Sequence, residues 1–208
     1  MSIVYGAVVP SELDGRRARR EQNRAAVLDA LAGLYGEGTY APSAAEIAER
    51  AGLSPRSLFR YFDDVDDLNR AAIDQQLVRA RPLLAVDVRP DEPTATKVER
   101  LVEARLRLYE AIAPAARAAR ICAWRHPVIA GQVASSRAYL RHQLERVFAP
   151  ELASMGADRA AALAAMDALC SFESVDLLRA DQRLSRARVT AALAHGLTAL
   201  LAGAPVTP

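Results

Sequence analysis

Residues 43–62, SAAEIAERAGLSPRSLFRYF, decide the fold. Ser43 followed by Glu46 makes a capping box, in which the serine hydroxyl accepts a backbone N–H at a helix start and the glutamate reaches back to the serine's own N–H. Ile47, Ala48 and Ala51 then share one apolar face at helical spacing. Gly52 ends this helix, because glycine enters the left-handed region without steric cost. Ser54 and Pro55 open a second helix as N-cap and first residue, where the missing proline N–H costs nothing. Leu58, Tyr61 and Phe62 supply its apolar contacts, leaving Ser54, Arg56, Ser57 and Arg60 for the outside. Two short helices joined by a glycine turn, the second polar on its outer face, predict a helix-turn-helix, whose second helix enters the major groove of DNA. An ordinary helical hairpin is the competing reading of the same pattern.

Outward from this stretch the chain changes character on both sides. Residues 16–24 are sharply basic, with Arg16, Arg17, Arg19, Arg20 and Arg24 against the single acid Glu21. Cations oppose the dipole of a helix start; ahead of a helix-turn-helix they are expected as an arm on phosphates or in the minor groove. Residues 1–15, with Gly6, Pro10 and Gly15, read as a flexible arm. The helix after the basic run carries Val27, Leu28, Leu31, Leu34 and Tyr35 and ends near Gly36 and Gly38. Downstream, Asp63, Asp64, Asp66 and Asp67 suit the start of a helix over 65–79. Residues 82–94, with Pro82, Pro90 and Pro93, have no helical period and divide a domain over 16–81 from one over 95–204.

The whole chain is 208 residues, 51% hydrophobic and only 5% aromatic, dominated by alanine and leucine. This predicts an all-α protein with a sizeable core. Beyond residue 94 the periodicity predicts five helices, over 95–113, 114–125, 128–148, from Gly156 with Asp158 as N-cap to 179, and 185–201. The net charge of +2 excludes little; the placement of charges matters more. Cys122 and Cys170 form no motif, so a reducing, cytoplasmic setting is expected. No signal peptide is read at the start, and no stretch approaches the roughly 20 apolar residues of a membrane helix. The segments near 158–179 and 185–201 are apolar nearly all round. A second copy of the chain would cover them as a four-helix bundle across a homodimer, with a buried hairpin inside a monomer as the alternative.

Glu46, Ile47, Ala48, Ala51, Gly52, Leu53, Ser54, Leu58, Phe59 and Phe62 together resemble the N-terminal pattern of the TetR/AcrR family of transcriptional regulators, and residues 172–202 resemble its C-terminal helices more loosely. The resemblance implies three N-terminal helices, a connecting helix and a helical ligand-binding domain that dimerises through its last two helices. It further implies a repressor that binds a palindromic double-stranded operator as a homodimer and is released by a small-molecule effector. Carried over by position, Ser43 would bond phosphate, and Ser54, Pro55, Arg56 and Ser57 would face the groove. Arg56 is suited to guanine, whose O6 and N7 a guanidinium can bond together. Arg60 and Tyr61 would touch phosphate or the groove wall, with Arg16, Arg17 and Arg20 holding the backbone. Two positions depart from the family: Phe59 stands where tyrosine is usual and Val65 where lysine is usual. Both remove a phosphate contact and leave more to residues 16–24.

The resemblance also implies an effector site, for which Leu101, Arg105, Tyr109, Trp124, Arg125, His126, Tyr139, His142, Met166 and Phe172 are candidates, each with core packing or solvent as the plainer reading. Arg105, Arg117, Arg120 and Arg125 suggest an anionic group on the effector; surface arginines explain them equally well. No catalytic residue, metal or cofactor is expected. Cys122 and His126, four apart, would share a helical face, but two ligands are too few for a structural zinc site. Ala123, Tyr139 and Ala192 stand three before the histidines, where a carboxylate-bridged metal bundle needs glutamate. There is no nucleophile elbow and no glycine-rich phosphate loop. The rival function is a helical small-molecule-binding or catalytic protein whose helix-turn-helix no longer binds DNA, a reading motivated by Val65 and its flanking aspartates.

Overall fold

The computed structural model describes residues 12–89 and 91–202, with side chains from Gly15 onward. Its α-helices in chain order are α1 (Glu12–Gly36), α2 (Ala44–Arg50), α3 (Pro55–Leu58), α4 (Val65–Ala80), α5 (Thr94–Cys122), α6 (Pro127–Val147), α7 (Ala149–Ser154), α8 (Arg159–Leu169), α9 (Phe172–Asp176) and α10 (Arg186–Leu201). The described residues contain no strand, as the all-α reading requires. No helix among them is long and apolar enough to cross a membrane.

The local signals of 43–62 are realised. Glu46 N donates to Ser43 Oγ at 3.3 Å while Ser43 N donates to Glu46 Oε2 at 2.7 Å, closing the capping box of α2. Gly52 sits at φ 69°, a conformation that a Cβ would strain. Ser54 caps α3, with Ser57 N donating to its hydroxyl at 3.2 Å, and Pro55 is the first helical residue. Asp64 caps α4 by accepting from Asp67 N at 2.7 Å. These helices close on α1 around Val27, Leu31, Ile47, Ala48, Leu58, Phe62, Leu68 and Ala71.

A second, larger core joins α5 to α10, with Leu101, Leu106, Tyr109, Leu144, Phe148, Met166, Leu193 and Leu197 among its buried members. Here the helix boundaries depart from the sequence reading. The segments expected at 95–113 and 114–125 are one helix, α5, which runs through Pro114. Proline inside a helix costs about 3 kcal/mol, but eleven buried residues along α5 hold it to its neighbours and outweigh one lost backbone bond. The single helix expected from Gly156 to 179 is broken. Asp158 makes no capping bond, because it lies with helical dihedrals in a 3₁₀ turn that begins at Gly156, φ 56°. Ser171 breaks the helix instead, capping α9 by accepting from Ser174 N at 3.1 Å. A π-helical turn over Leu177–Asp181 follows, and Arg183 behind it takes φ 53°. α7, which starts just after the buried Phe148, was not anticipated. Residues 82–94 are not a bare linker, since Leu83, Leu84, Val86 and Val88 pack against the larger core.

Helix α1 begins at Glu12, so residues expected in the flexible arm from 12 onward are helical; residues 1–11 lie outside the described ones. The arginines of 16–24 are therefore the flank of a helix, several residues inside its start, rather than an extended arm. The dipole objection to them weakens, because the macrodipole acts within the first turn.

Candidate nucleic-acid interface

Arg16, Arg17, Arg20, Glu21 and Arg24 border one shallow surface groove along α1. Their spacing, i, i+1, i+4, i+5 and i+8, puts them on one helical face. Arg16, Arg17 and Arg20 are exposed. Arg24 behaves differently. Its Nη1 donates to the Tyr61 carbonyl at 2.7 Å, its guanidinium lies 4.4 Å above the Phe62 ring, and Nη1 stands 3.5 Å from Asp67. Asn23 Nδ2 adds a 2.7 Å bond to the Tyr61 hydroxyl. The last turn of the basic run is thus a clamp between α1 and the end of the helix-turn-helix, and it fixes the exposed arginines in register with α3.

The outer side of the motif is presented in part. Ser54, Pro55, Arg56 and Arg60 are exposed, while Ser57 and Tyr61 are half-buried. The hydroxyls of Ser54 and Ser57 lie 2.9 Å apart and bond each other. Only Pro55–Leu58 is α-helical; Arg60 N and Tyr61 N reach back three residues, to Ser57 and Leu58. Arg60 and Tyr61 therefore stand on a tight turn past the helix, and the Tyr61 hydroxyl expected on DNA already bonds Asn23. The Ser43 hydroxyl is likewise engaged, donating to Glu46 Oε2 at 2.7 Å. These serine bonds, first the hydroxyl and then the backbone N–H, hold the Glu46 carboxyl below its usual range. A phosphate at the start of α2 would meet this anion, so the Ser43 contact needs the capping box to open. Sequence reading missed one feature: Phe59 is 46% exposed between Arg56 and Arg60, where an apolar ring can meet a thymine methyl. The acidic edge is partly spent, with Asp67 beside Arg24 and Asp66 Oδ1 at 3.4 Å from His126 Nδ1.

Residues 27–72 match the family model of bacterial regulatory proteins, tetR family. The chain carries a TetR-family N-terminal domain. Among solved structures it is similar to a transcriptional regulator from Rhodococcus sp. Rha1, at 20% identity and TM-score 0.62 over 91% of this chain and 99% of that one. It is also similar to a tetR-family transcriptional regulator from Streptomyces coelicolor, at 20% identity and TM-score 0.63 over 88% of this chain and 82% of that one. At such identity the likeness speaks for the fold, here over both the TetR-type N-terminal domain and the helices behind it. No curated protein matches the chain.

The candidate effector residues do not all converge. Leu101, Arg105, Tyr109, Met166 and Phe172 are buried in the larger core. Trp124 is 74% exposed with the Arg125 guanidinium stacked on it at 4.2 Å, and Tyr139 and His142 are exposed on α6. α5 ends at Cys122, so His126 shares no helix with it; the imidazole faces Asp66 and the Cys122 thiol points at the Tyr40 carbonyl, 3.5 Å away. Of the four arginines considered for an anion, two have acidic partners: Arg117 on Asp176 at 2.6 Å and Arg120 on Glu173 at 2.7 Å. Burial alone would raise the Glu173 carboxyl, but hydrogen bonds from Arg120 and Arg137 outweigh it and hold the group down at about 2. Only Arg105 is both buried and without an acidic partner among the described residues.

A cleft of about 190 Å³ that sequence reading did not suggest lies where α1, α4 and α5 meet, lined by residues that include Leu28, Tyr35, Gln75, Arg79 and Pro114. The Tyr35 hydroxyl there is pushed up to about 12 by burial and then by the nearby Cys122.

Proposed function

We propose that this chain is a transcriptional repressor that binds a palindromic operator as a homodimer and is released by a small-molecule effector held in its C-terminal domain. Residues 16–81 are the DNA-binding part and 95–204 the effector and dimerisation part, and the protein works in the cytoplasm. One observation carries the reading: the Arg24 and Asn23 clamp, which makes the exposed arginines of α1 and the outer side of α3 one rigid surface. Arg16, Arg17 and Arg20 neutralise phosphates and set register, while Arg56, with Phe59 beside it, reads base edges. The dimer reading is supported by the outer sides of α8 and α10, where Ala160, Ala161, Ala164, Ala165 and Ala168 and then Ala187, Ala191, Ala192 and Ala199 are exposed. Small side chains there would let two copies pack closely.

The test is a fluorescence-anisotropy titration of the upstream intergenic DNA at several salt concentrations. Tight binding should weaken steeply with salt. Arg17→Ala with Arg20→Ala should weaken binding to all sequences and, with both arginines lost from each of two subunits, flatten the slope of log K against log salt by about four. Arg56→Ala should instead relax base preference at one position in each half-site, at about 1–3 kcal/mol apiece. Absence of any specific binding, with Arg56→Ala indistinguishable from the parent, would leave the degenerate, non-DNA-binding reading in possession.

A further inference from the structure

The larger core holds two fully buried cations and treats them differently. Lys97, 1% exposed, donates to both oxygens of Glu151 at 2.8 and 3.1 Å, and Thr94 bonds the same carboxylate. Arg105, 2% exposed, meets only neutral acceptors: Nη1 donates to Gln143 Oε1 at 2.6 Å and Nη2 to the Leu140 carbonyl at 2.8 Å. Its Nε has no partner. A guanidinium carries five N–H groups, so most of its donors are unused. Acids on the elements packed around it are committed elsewhere, Asp167 to Arg141, Glu173 to Arg120 and Arg137, Asp176 to Arg117 and Glu145 to Arg159. A charge buried this deeply without a counter-ion costs several kcal/mol, and two neutral acceptors offset only part of it.

The guanidinium is also aimed. Gln143 is itself 2% exposed, and its Nε2 donates to the Leu84 carbonyl at 2.6 Å, so its amide oxygen is locked toward Arg105. Leu101, Arg105 and Tyr109 follow one another at i, i+4 and i+8 on the buried side of α5. Leu101 and Tyr109 belong to an apolar, aromatic cluster with Met166 and with Phe172, which stands edge-on to Tyr109 at 5.6 Å.

We propose that Arg105 is the anion-binding anchor of the effector site, and that the effector class is an apolar monocarboxylic acid. The carboxylate takes the vacant Nε–H and a neighbouring Nη–H as a two-pronged, charge-assisted pair, and the apolar body lies among Leu101, Tyr109, Met166 and Phe172. The proposal deepens the regulator reading and rests on it only for the consequence at DNA. Because these side chains are buried, binding requires the core to open, and the break at Ser171 with the π-helical turn behind α9 is irregular backbone that could yield.

Isothermal titration calorimetry on the full-length protein tests the site without DNA, using sodium octanoate, sodium decanoate and sodium phenylpropionate, each against its uncharged methyl ester. At least one acid should bind at one molecule per chain and roughly 10- to 100-fold more tightly than its ester, the range of a charged hydrogen-bonded pair. Arg105→Met should lose that preference while keeping its helical circular dichroism, because replacing a buried charge by an apolar side chain of similar length is neutral or stabilising. Arg105→Lys, which keeps the charge but not the fork, should fall between. Binding by none of the acids, equal binding of acid and ester, or unchanged acid binding by Arg105→Met would overturn the proposal. Adding the best acid to the anisotropy assay then separates the two ideas: Arg105-dependent binding with unchanged operator affinity upholds the site and sinks release by effector.

Discussion

At the scale of single residues, one run of arginines divides into two jobs that the sequence does not distinguish. Arg16, Arg17 and Arg20 are exposed, whereas Arg24 is held by a carbonyl, a ring and a carboxylate together. A hydrogen bond to a charged group contributes about 1.5–3 kcal/mol and a half-exposed cation–π contact about 0.5–1. The three contacts share one side chain and do not add, so Arg24→Ala should cost about 2 kcal/mol. For a chain of this length that is a fall of roughly 4–8 °C in Tm, readable by thermal circular dichroism. Arg17→Ala with Arg20→Ala should leave Tm within about 2 °C, as exposed surface changes do. If the Arg24 variant melted with the parent, the clamp would not be a structural contact. The run was legible in sequence as basic; what set Arg24 apart was its meeting with Tyr61 and Phe62, 37 and 38 positions on, which no local spacing reports.

At the scale of elements, the signals that could be read were those confined to a few neighbouring residues. Ser43 with Glu46, Gly52, Ser54 with Pro55, and Asp64 each act within one turn, and each does in the fold what its chemistry requires. The misread boundaries were decided at a distance. Pro114 reads as a break, yet packing along the length of α5 overrides it. Ser171 reads as one polar residue in an apolar run, yet it interrupts the helix, and the break frees the Cys170 carbonyl to accept the Tyr109 hydroxyl at 2.8 Å, from 61 residues away. Burial, with Arg105 opposing and Asp167 adding slightly, pushes the Cys170 thiol up to about 12, so it stays neutral beside this bond. Ser174 completes the junction by donating its hydroxyl at 2.6 Å to the Ala168 carbonyl, which also accepts from Ser171 N at 3.2 Å. Ser171→Ala removes the cap of α9 and should lower stability by about 1 kcal/mol, measured by urea denaturation. A variant as stable as the parent would mean that the Tyr109 bond alone holds the break. The effector residues were the least legible of all. Helical periodicity says that Leu101, Tyr109 and Met166 face inward and cannot say that Trp124, Tyr139 and His142 face out, because aromatic and polar side chains occupy either place.

At the scale of the whole molecule, polar contacts among the described residues tie the two cores together, in addition to the shared helix α4 and the packing of α1 on α5. Tyr40, in the loop before the helix-turn-helix, offers its carbonyl to the Cys122 thiol; Arg117 grips Asp176 in α9, which with a smaller contribution from Tyr40 holds the guanidinium pKa up; Asp66 at the start of α4 meets His126 at the start of α6. A change around Phe172 and Asp176 therefore has a direct physical route to the loop that carries α2. In the proposed dimer that route would be consequential, since release would require only that two reading surfaces lose the spacing of successive major grooves, about 34–36 Å. The surface that would set this spacing is the alanine face of α8 and α10. Within the chain these helices are already close: a Cβ on Gly196 would come within 2.7 Å of Leu169 Cδ2. Their outer alanines face away from both cores, so a charge there should leave the monomer intact. Ala164→Glu with Ala191→Glu should yield a monomer by light scattering with unchanged helical circular dichroism and a similar Tm. It should also lower operator affinity by far more than either half-site contact explains, because the second recognition helix loses its effective concentration. Persistence of the parent's mass in the double variant would move the dimer seam off α8 and α10, and an unchanged operator affinity in a proven monomer would remove the need for a dimer altogether.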